Sequence, residues 1–281
     1  MTIRTRVGHI GPTDNRFLGR SVFEELSDQV ASPADALALA LGARLGEIER
    51  EALRLVALCT TSPDARVWPL KLCRLLASYG HPIAGLFGGQ LISSGSIMGP
   101  GTAAGCAAGL AFVAERATDD AALEQAVAEW CERSGGRFPG FGVPFRPEDE
   151  RLVAMRRYVA GTQLERRPYW ILQQRVTDVM TRRGALQPNV TLGASALLLE
   201  AGIAPERCGV ALALLMSHIF VAHSLEAAQS DGELRALPAS AVDYQGVSPR
   251  STRRSDLRVP PHPVLQRHLA GRGNASGCAG V

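Results

Sequence analysis

The chain has 281 residues, is 46% hydrophobic, 20% charged and only 5% aromatic, and carries a formal net charge of +3. That apolar share supports a large core and excludes wholesale disorder, and the length suits one or two domains. A surplus of 30 basic over 27 acidic residues is too small to describe a nucleic-acid binder, and the scarcity of aromatic rings argues against base stacking.

The first ten residues carry Arg4 and Arg6 but no apolar stretch of the kind a secretory signal needs. The longest apolar stretch, Val210 to Met216, is far short of the roughly 20 residues of a membrane span. Six scattered cysteines, Cys59, Cys73, Cys106, Cys131, Cys208 and Cys278, show no C-x-x-C pair and no metal-ligand spacing. They read as reduced, buried thiols. The expectation is a soluble cytoplasmic protein with no membrane contact, no metal and no permanently bound cofactor.

Apolar residues recur at helical spacing along most of the chain. Ser32-Pro33-Ala34-Asp35 opens the first such segment: Ser32 can cap, Pro33 fits the first helical position and Asp35 suits the positive end of the dipole. The run to Leu41 stops at Gly42. Further helices are predicted over 47–58, 70–79, 103–116, 121–133, 148–160, 170–183, 192–201 and 205–229. Alternation of period two is rare. An all-α fold with about ten or more helices follows.

Glycine and proline crowd two places, 85–101 and 135–147 (GGRFPGFGVPFRP). Backbone of that composition packs tightly against a ligand or another helix. The tail beyond Gly246 holds Arg250, Arg253, Arg254, Arg258, Arg267 and Arg272 against Asp256 alone. It reads as a flexible basic arm, either crossing to a partner subunit or solvated.

Eight short motifs then occur in one order. They are His9-Ile10-Gly11 through Glu25-Leu26, Ser32 to Gly42, Arg74-Leu75-Leu76-Ala77-Ser78, Gly99-Pro100, Pro139-Gly140-Phe141-Gly142, Pro188-Asn189-Val190, Ala222-His223 with Glu226, and Tyr244-Gln245-Gly246. Together, over about residues 3–255, they resemble the citrate synthase and citryl-CoA lyase family. The resemblance implies an all-helical homodimer with an active cleft between a large domain (1–105 and 204–255) and a small one (106–203), leaving 256–281 as the flexible tail. It implies a coenzyme A thioester as substrate or ligand, a small carboxylate as the other, and formation or cleavage of a carbon–carbon bond beside the thioester. In that reading Pro139, Gly140, Phe141 and Gly142 contact the adenine of coenzyme A. Arg151, following Asp149, binds a substrate carboxylate, His223 of the Ala222-His223 segment either joins the substrate-binding set or is a satisfied core histidine, and Arg250 or Arg253 reaches the partner's site.

The resemblance also exposes a departure. The family's chemistry uses two histidines and a carboxylate for proton transfer and enolate stabilisation. The matching positions here are Thr102, Val143 and Thr191. A family arginine falls at Met216 and an upstream histidine near Asp64. Threonine does not titrate near neutrality and valine cannot donate a hydrogen bond.

A replacement set is sought in Asp64-Ala65-Arg66-Val67-Trp68-Pro69-Leu70-Lys71, followed by Tyr79 and His81. Lys71 is the only lysine of the chain, and a lysine in an apolar pocket can serve as base or nucleophile. Arg66 with Asp64 reads either as a substrate-binding pair or as plain loop structure. His218 and His223, five apart on one helix, point about 140° apart and make a poor joint metal site. Two functional readings stand: an acyl-CoA enzyme with a new acid–base set, or a non-catalytic dimer that binds a ligand or partner.

Overall fold

A computed structural model describes residues 5–10, 15–95, 99–143, 147–230 and 239–247. Arg250, Arg253 and the 256–281 tail lie outside the described residues, as does Cys278. The chain divides into two compact units, Met1–Leu234 and Arg235–Val281. In the second, the described part is one short 3₁₀ turn, Ala239–Ala241, and the residues after it.

Among its described residues the first unit is helical apart from one small sheet. Its helices are α1 (Pro33–Ala40), α2 (Glu47–Cys59), α3 (Trp68–Ala77), α4 (Pro82–Ser93), α5 (Gly99–Ala114), α6 (Asp120–Arg133), α7 (Glu150–Val159), α8 (Pro168–Arg182), α9 (Val190–Glu200), α10 (Cys208–Leu215) and α11 (Ser217–Ala228). The N-terminal segment instead forms three antiparallel strands, β1 (Gly8–Ile10), β2 (Asn15–Phe17) and β3 (Arg20–Ser21). The motif ending Glu25-Leu26 runs through hydrogen-bonded turns, with Leu26 N–H donating to Ser21 O at 3.0 Å.

Helix α1 starts as its sequence directs. Ser32 Oγ accepts from Asp35 N at 3.3 Å and Asp35 Oδ2 accepts from Ser32 N at 3.1 Å, a reciprocal capping box. Asp35 also binds Arg50 Nε of α2 at 2.8 Å, so one side chain starts α1 and fixes it to α2. That hydrogen bond, the largest influence, with the Arg50 charge and neighbouring N–H groups, outweighs burial and lowers the Asp35 pKa.

Helix α9 is apolar on every side and buried over its whole length, which places it at the centre of the unit. It packs on α5, α8, α2, α7 and α10. Its one charged residue, Glu200, is compensated: Oε1 accepts from Tyr169 N at 2.5 Å and Oε2 pairs with Arg167 Nε at 3.1 Å. The main core runs from α2 through α5 to α9 and α10. The expected domain boundary at 105/106 falls inside α5.

Two segments differ from the sequence reading. The predicted helix over 205–229 is a 3₁₀ turn, Pro205–Arg207, followed by α10 and α11, which part at Met216. By length and composition this 24-residue run can cross a membrane, although Val210–Met216 alone cannot, and a third of its most apolar window is buried. It packs on α2, α3, α4, α5 and α9 as part of the helical unit. The glycine-rich stretch from Gly85 contains α4, which the composition hid. Its glycines make the helix possible here. A Cβ on Gly85 would lie 2.7 Å from both Ala77 Cβ and Cys73 O, and one on Gly89 would lie 2.6 Å from Phe220 Cδ1. Glycine therefore lets α4 settle directly on α3 and α11, and a second small core of Leu70, Cys73, Ile219 and Phe220 forms between α3 and α11.

Candidate functional site

Three chain segments are hydrogen-bonded into one frame. At Pro139–Gly142 the backbone takes φ +95° at Gly140 and +109° at Gly142, a region L-residues rarely occupy. A Cβ at Gly140 would also stand 3.0 Å from Cys106 Sγ and from Leu192 Cβ. Asn189 N–H donates to Gly140 O at 2.8 Å, and Gly142 N–H donates to Gln187 O at 2.7 Å. Phe141 forms an antiparallel bridge with Pro188.

Asn189 does two further jobs. Its Oδ1 caps α9 by accepting from Thr191 N at 3.0 Å, and its Nδ2 donates to Gly142 O at 3.0 Å. Asp149 adds the third segment. It is buried, accepts from Val190 N at 2.8 Å through Oδ2, and holds Arg151 through Oδ1–Nε and Oδ2–Nη2, both at 2.9 Å. Burial pushes the Asp149 carboxyl upward. The Arg151 hydrogen bond and charge, with the N–H groups of Val190 and Arg151, more than reverse that and hold its pKa below the ordinary carboxylate value.

Two expected site positions, Thr191 and Val143, lie on this frame, and a third, Thr102, lies on the helix beside it. Thr191 opens α9 and is buried. Gly99, the first residue of α5, faces it: a Cβ there would be 3.5 Å from Thr191 Oγ1. Thr102 lies in the next turn and donates from Oγ1 to Gly99 O at 3.1 Å. Val143, half-buried, follows Gly142 directly. The thiols nearby are inert by environment, since burial raises Cys106 and Cys208 to about 12.

A second group of side chains surrounds the loop before α3. Asp64 accepts from Arg66 in a fork, with Nη2–Oδ2 at 2.6 Å and Nε–Oδ2 at 2.9 Å, and Arg66 N donates to Asp64 Oδ1 at 2.9 Å. The pair is mostly exposed, so it shapes the loop more than it stabilises the fold. Lys71 is exposed in the first turn of α3. His81 is exposed just before α4 and caps nothing. From Lys71 to Ala77, the end of α3, is already about 9 Å along the helix axis. The structure thus puts Lys71 and His81 toward opposite ends of α3.

His223 holds this loop in place. Its Nε2 lies 2.8 Å from Pro63 O and its Nδ1 3.3 Å from Arg74 Nη1. A guanidinium only donates and a carbonyl only accepts, which assigns the hydrogen to Nε2. Arg74 Nη1 also bonds Glu226 Oε2. His218, one turn earlier, reaches the same loop, with Nε2 2.9 Å from Thr61 Oγ1. Both histidines are engaged with the protein's own backbone or side chains. Arg74 and Asn189 are the residues whose roles the sequence reading did not foresee. Asn immediately before an apolar helical run is a capping signal; nothing in the sequence pairs Arg74 with His223.

No protein-family model matches the sequence, and no curated protein matches it. Solved structures do. Citryl-CoA lyase from Hydrogenobacter thermophilus superposes with a TM-score of 0.74 at 19% identity, covering 90% of this chain and 98% of that one. The chain has a citrate synthase-like fold. ATP citrate lyase from Methanothrix soehngenii, solved with citrate and coenzyme A, gives 0.65 at 18% identity over 88% of this chain, which spans 42% of the lyase. Citrate synthase from Thermotoga maritima gives 0.52 at 17% identity, covering 78% of this chain and 58% of that one. The all-α expectation and the resemblance drawn from eight short motifs therefore agree with the fold. Val143 and Thr191 lie on the hydrogen-bonded segments, and Thr102 lies one turn along α5 from Gly99, which faces Thr191.

Proposed function

We propose that this chain binds a coenzyme A thioester, or a related carboxylate ligand, against the frame formed by Pro139–Val143, Asp149–Arg151 and Asn189–Thr191, with Gly99–Thr102 beside it. The reaction type is formation or cleavage of a carbon–carbon bond beside the thioester. The observation that carries the reading is the bonding of the Pro139–Gly142 turn to Asn189 and Gln187: two glycines at positive φ fix the turn at which the resemblance puts the adenine of coenzyme A. Arg151 is half-buried, and its fork to Asp149 leaves Nη1 for a ligand carboxylate. Domain closure, with residues 106–203 moving against the rest of Met1–Leu234, belongs to the same proposal.

Proton transfer then falls to Asp64, Lys71 or His81, because Thr102, Val143 and Thr191 offer no group that titrates near neutrality. The separation of Lys71 from His81 along α3 favours the second reading, a ligand-binding dimer without turnover. Titration calorimetry with acetyl-CoA and coenzyme A, followed by NMR of methyl-proton exchange of acetyl-CoA in D₂O, tests both. Binding with exchange supports the enzyme; binding without exchange supports the second reading. Absence of binding rejects the coenzyme A assignment.

The homodimer rests on α4. Ile83, Phe87 and Leu91, at successive turns, are 70%, 61% and 74% exposed, opposite the glycine face that meets α3 and α11. Leu76, Tyr79, Val221 and Leu225 are exposed as well. An apolar stripe of this size on a well-packed helix suits a matching stripe on a second copy.

A further inference from the structure

At the start of α3 a cavity of about 390 Å³ is lined by Ala65, Arg66, Lys71 and Arg74. Three of its four lining side chains are cations. Two of them are answered by carboxylates, Arg66 by Asp64 and Arg74 by Glu226. The third is not: among the described residues the Lys71 ammonium makes no ion pair or hydrogen bond, and it belongs to the chain's single lysine.

The cations are also held, rather than merely crowded. Arg74 is fixed by Glu226 and by His223 Nδ1, and His223 in turn fixes Pro63 O at the entry to the loop. Arg66 is fixed by a fork to Asp64 and by its own backbone N–H on the same carboxylate. The Arg66 guanidinium, held through Nε and Nη2, retains Nη1 for a second acceptor, and an ammonium supplies three donors. The N-terminus of α3, which no side chain caps, adds positive potential on the same side.

We infer that this cavity is an anion-binding site in which Lys71 Nζ, with Arg66 and Arg74 beside it, takes a phosphoryl or carboxylate group. Lys71 is then a binding residue rather than an acid–base catalyst. The inference concerns α3 and its loop alone, and holds whether or not the 139–143 turn binds coenzyme A.

The single lysine makes the test direct. The full chain is reductively methylated with formaldehyde and dimethylamine borane, a neutral reagent pair, and the rates at Lys71 and at the α-amino group are read by peptide mass spectrometry. The reaction is run in inorganic phosphate, in citrate, and in potassium chloride of equal ionic strength. Saturable slowing at Lys71, about tenfold at roughly ten times the dissociation constant by mass action, with no slowing at the α-amino group, supports the site. Protection by phosphate alone assigns a phosphoryl ligand, by citrate alone a carboxylate, and by both a shared anion cradle. Equal slowing at both amines, or none beyond the chloride control, overturns the inference. Calorimetry with coenzyme A reads the other site separately, so the two readings fail independently.

Discussion

Asp149 Oδ2 accepts the backbone N–H of Val190 at 2.8 Å, so the carboxylate that begins α7 also fixes the first residue of α9, 41 positions away in the chain. The same carboxylate holds Arg151 by two further bonds.

Replacing Asp149 with Ala leaves the Val190 N–H without its partner and the Arg151 guanidinium without its counter-charge. The expected loss is about 2–4 kcal/mol, reduced from a fully buried pair because Arg151 is one-third exposed. The pH dependence has a definite sign. A folded-state pKa below the unfolded value of about 3.9 means that the stabilisation is present above that value and is lost as pH falls through the folded pKa. Urea unfolding of the wild type from pH 7 to pH 3 is expected to show a steeper loss than Asp149→Ala, whose profile lacks this component.

His223→Ala removes the bond to Pro63 O and one partner of Arg74. It is expected to cost about 1 kcal/mol and to raise amide hydrogen exchange over residues 62–67 ahead of the rest of the first unit. Unchanged exchange there would show that the loop is held by other contacts.

The glycines of α4 separate two kinds of crowding. Gly89→Ala drives a methyl against Phe220 Cδ1 and Cys73 Cβ, at 2.6 and 2.8 Å, within a packed interface, and is expected to destabilise by about 1–3 kcal/mol. Gly88→Ala meets chiefly the flexible end of Leu76, which is exposed and can rotate away. That substitution is expected to be neutral, or to stabilise by up to about 1 kcal/mol through helix propensity. Thermal unfolding of the two variants checks the order.

Phe87→Glu places a charge in the centre of the exposed stripe without touching the α3–α4 contact. Sedimentation velocity is expected to show the wild type as a dimer and the variant as a monomer, with matching circular dichroism. A monomeric wild type would reject the association.

Most of the fold was legible in the sequence because most helices carry both a periodic apolar face and a terminal signal. Ser32, Asp119, Asp149 and Asn189 all accept at helix starts as their residue types direct. Helix α4 was not legible: with Gly85, Gly88 and Gly89 inside it, its local preference runs against a helix, and only packing on α3 and α11 decides the outcome. The break at Met216 was hidden for the opposite reason, since both α10 and α11 are apolar enough to read as one run. At the site, the anchors Pro139–Gly142 and Pro188–Val190 were visible as motifs. The grouping of Asp64, Lys71 and His81 rested on nearness in sequence, which a helix converts into distance along its axis. Arg151 was visible, but Asp149 as the clamp joining it to α9 depends on a contact across 41 residues that no local pattern announces.

The frame around Asn189 is fastened mainly by peptide groups: Asn189 N–H to Gly140 O, Gly142 N–H to Gln187 O, Val190 N–H to Asp149. Evolution can therefore exchange the residues displayed at 102, 143 and 191 while the scaffold beneath them keeps its contour. A protein built this way can change trade without changing shape, and its silhouette outlives any one chemistry performed on it.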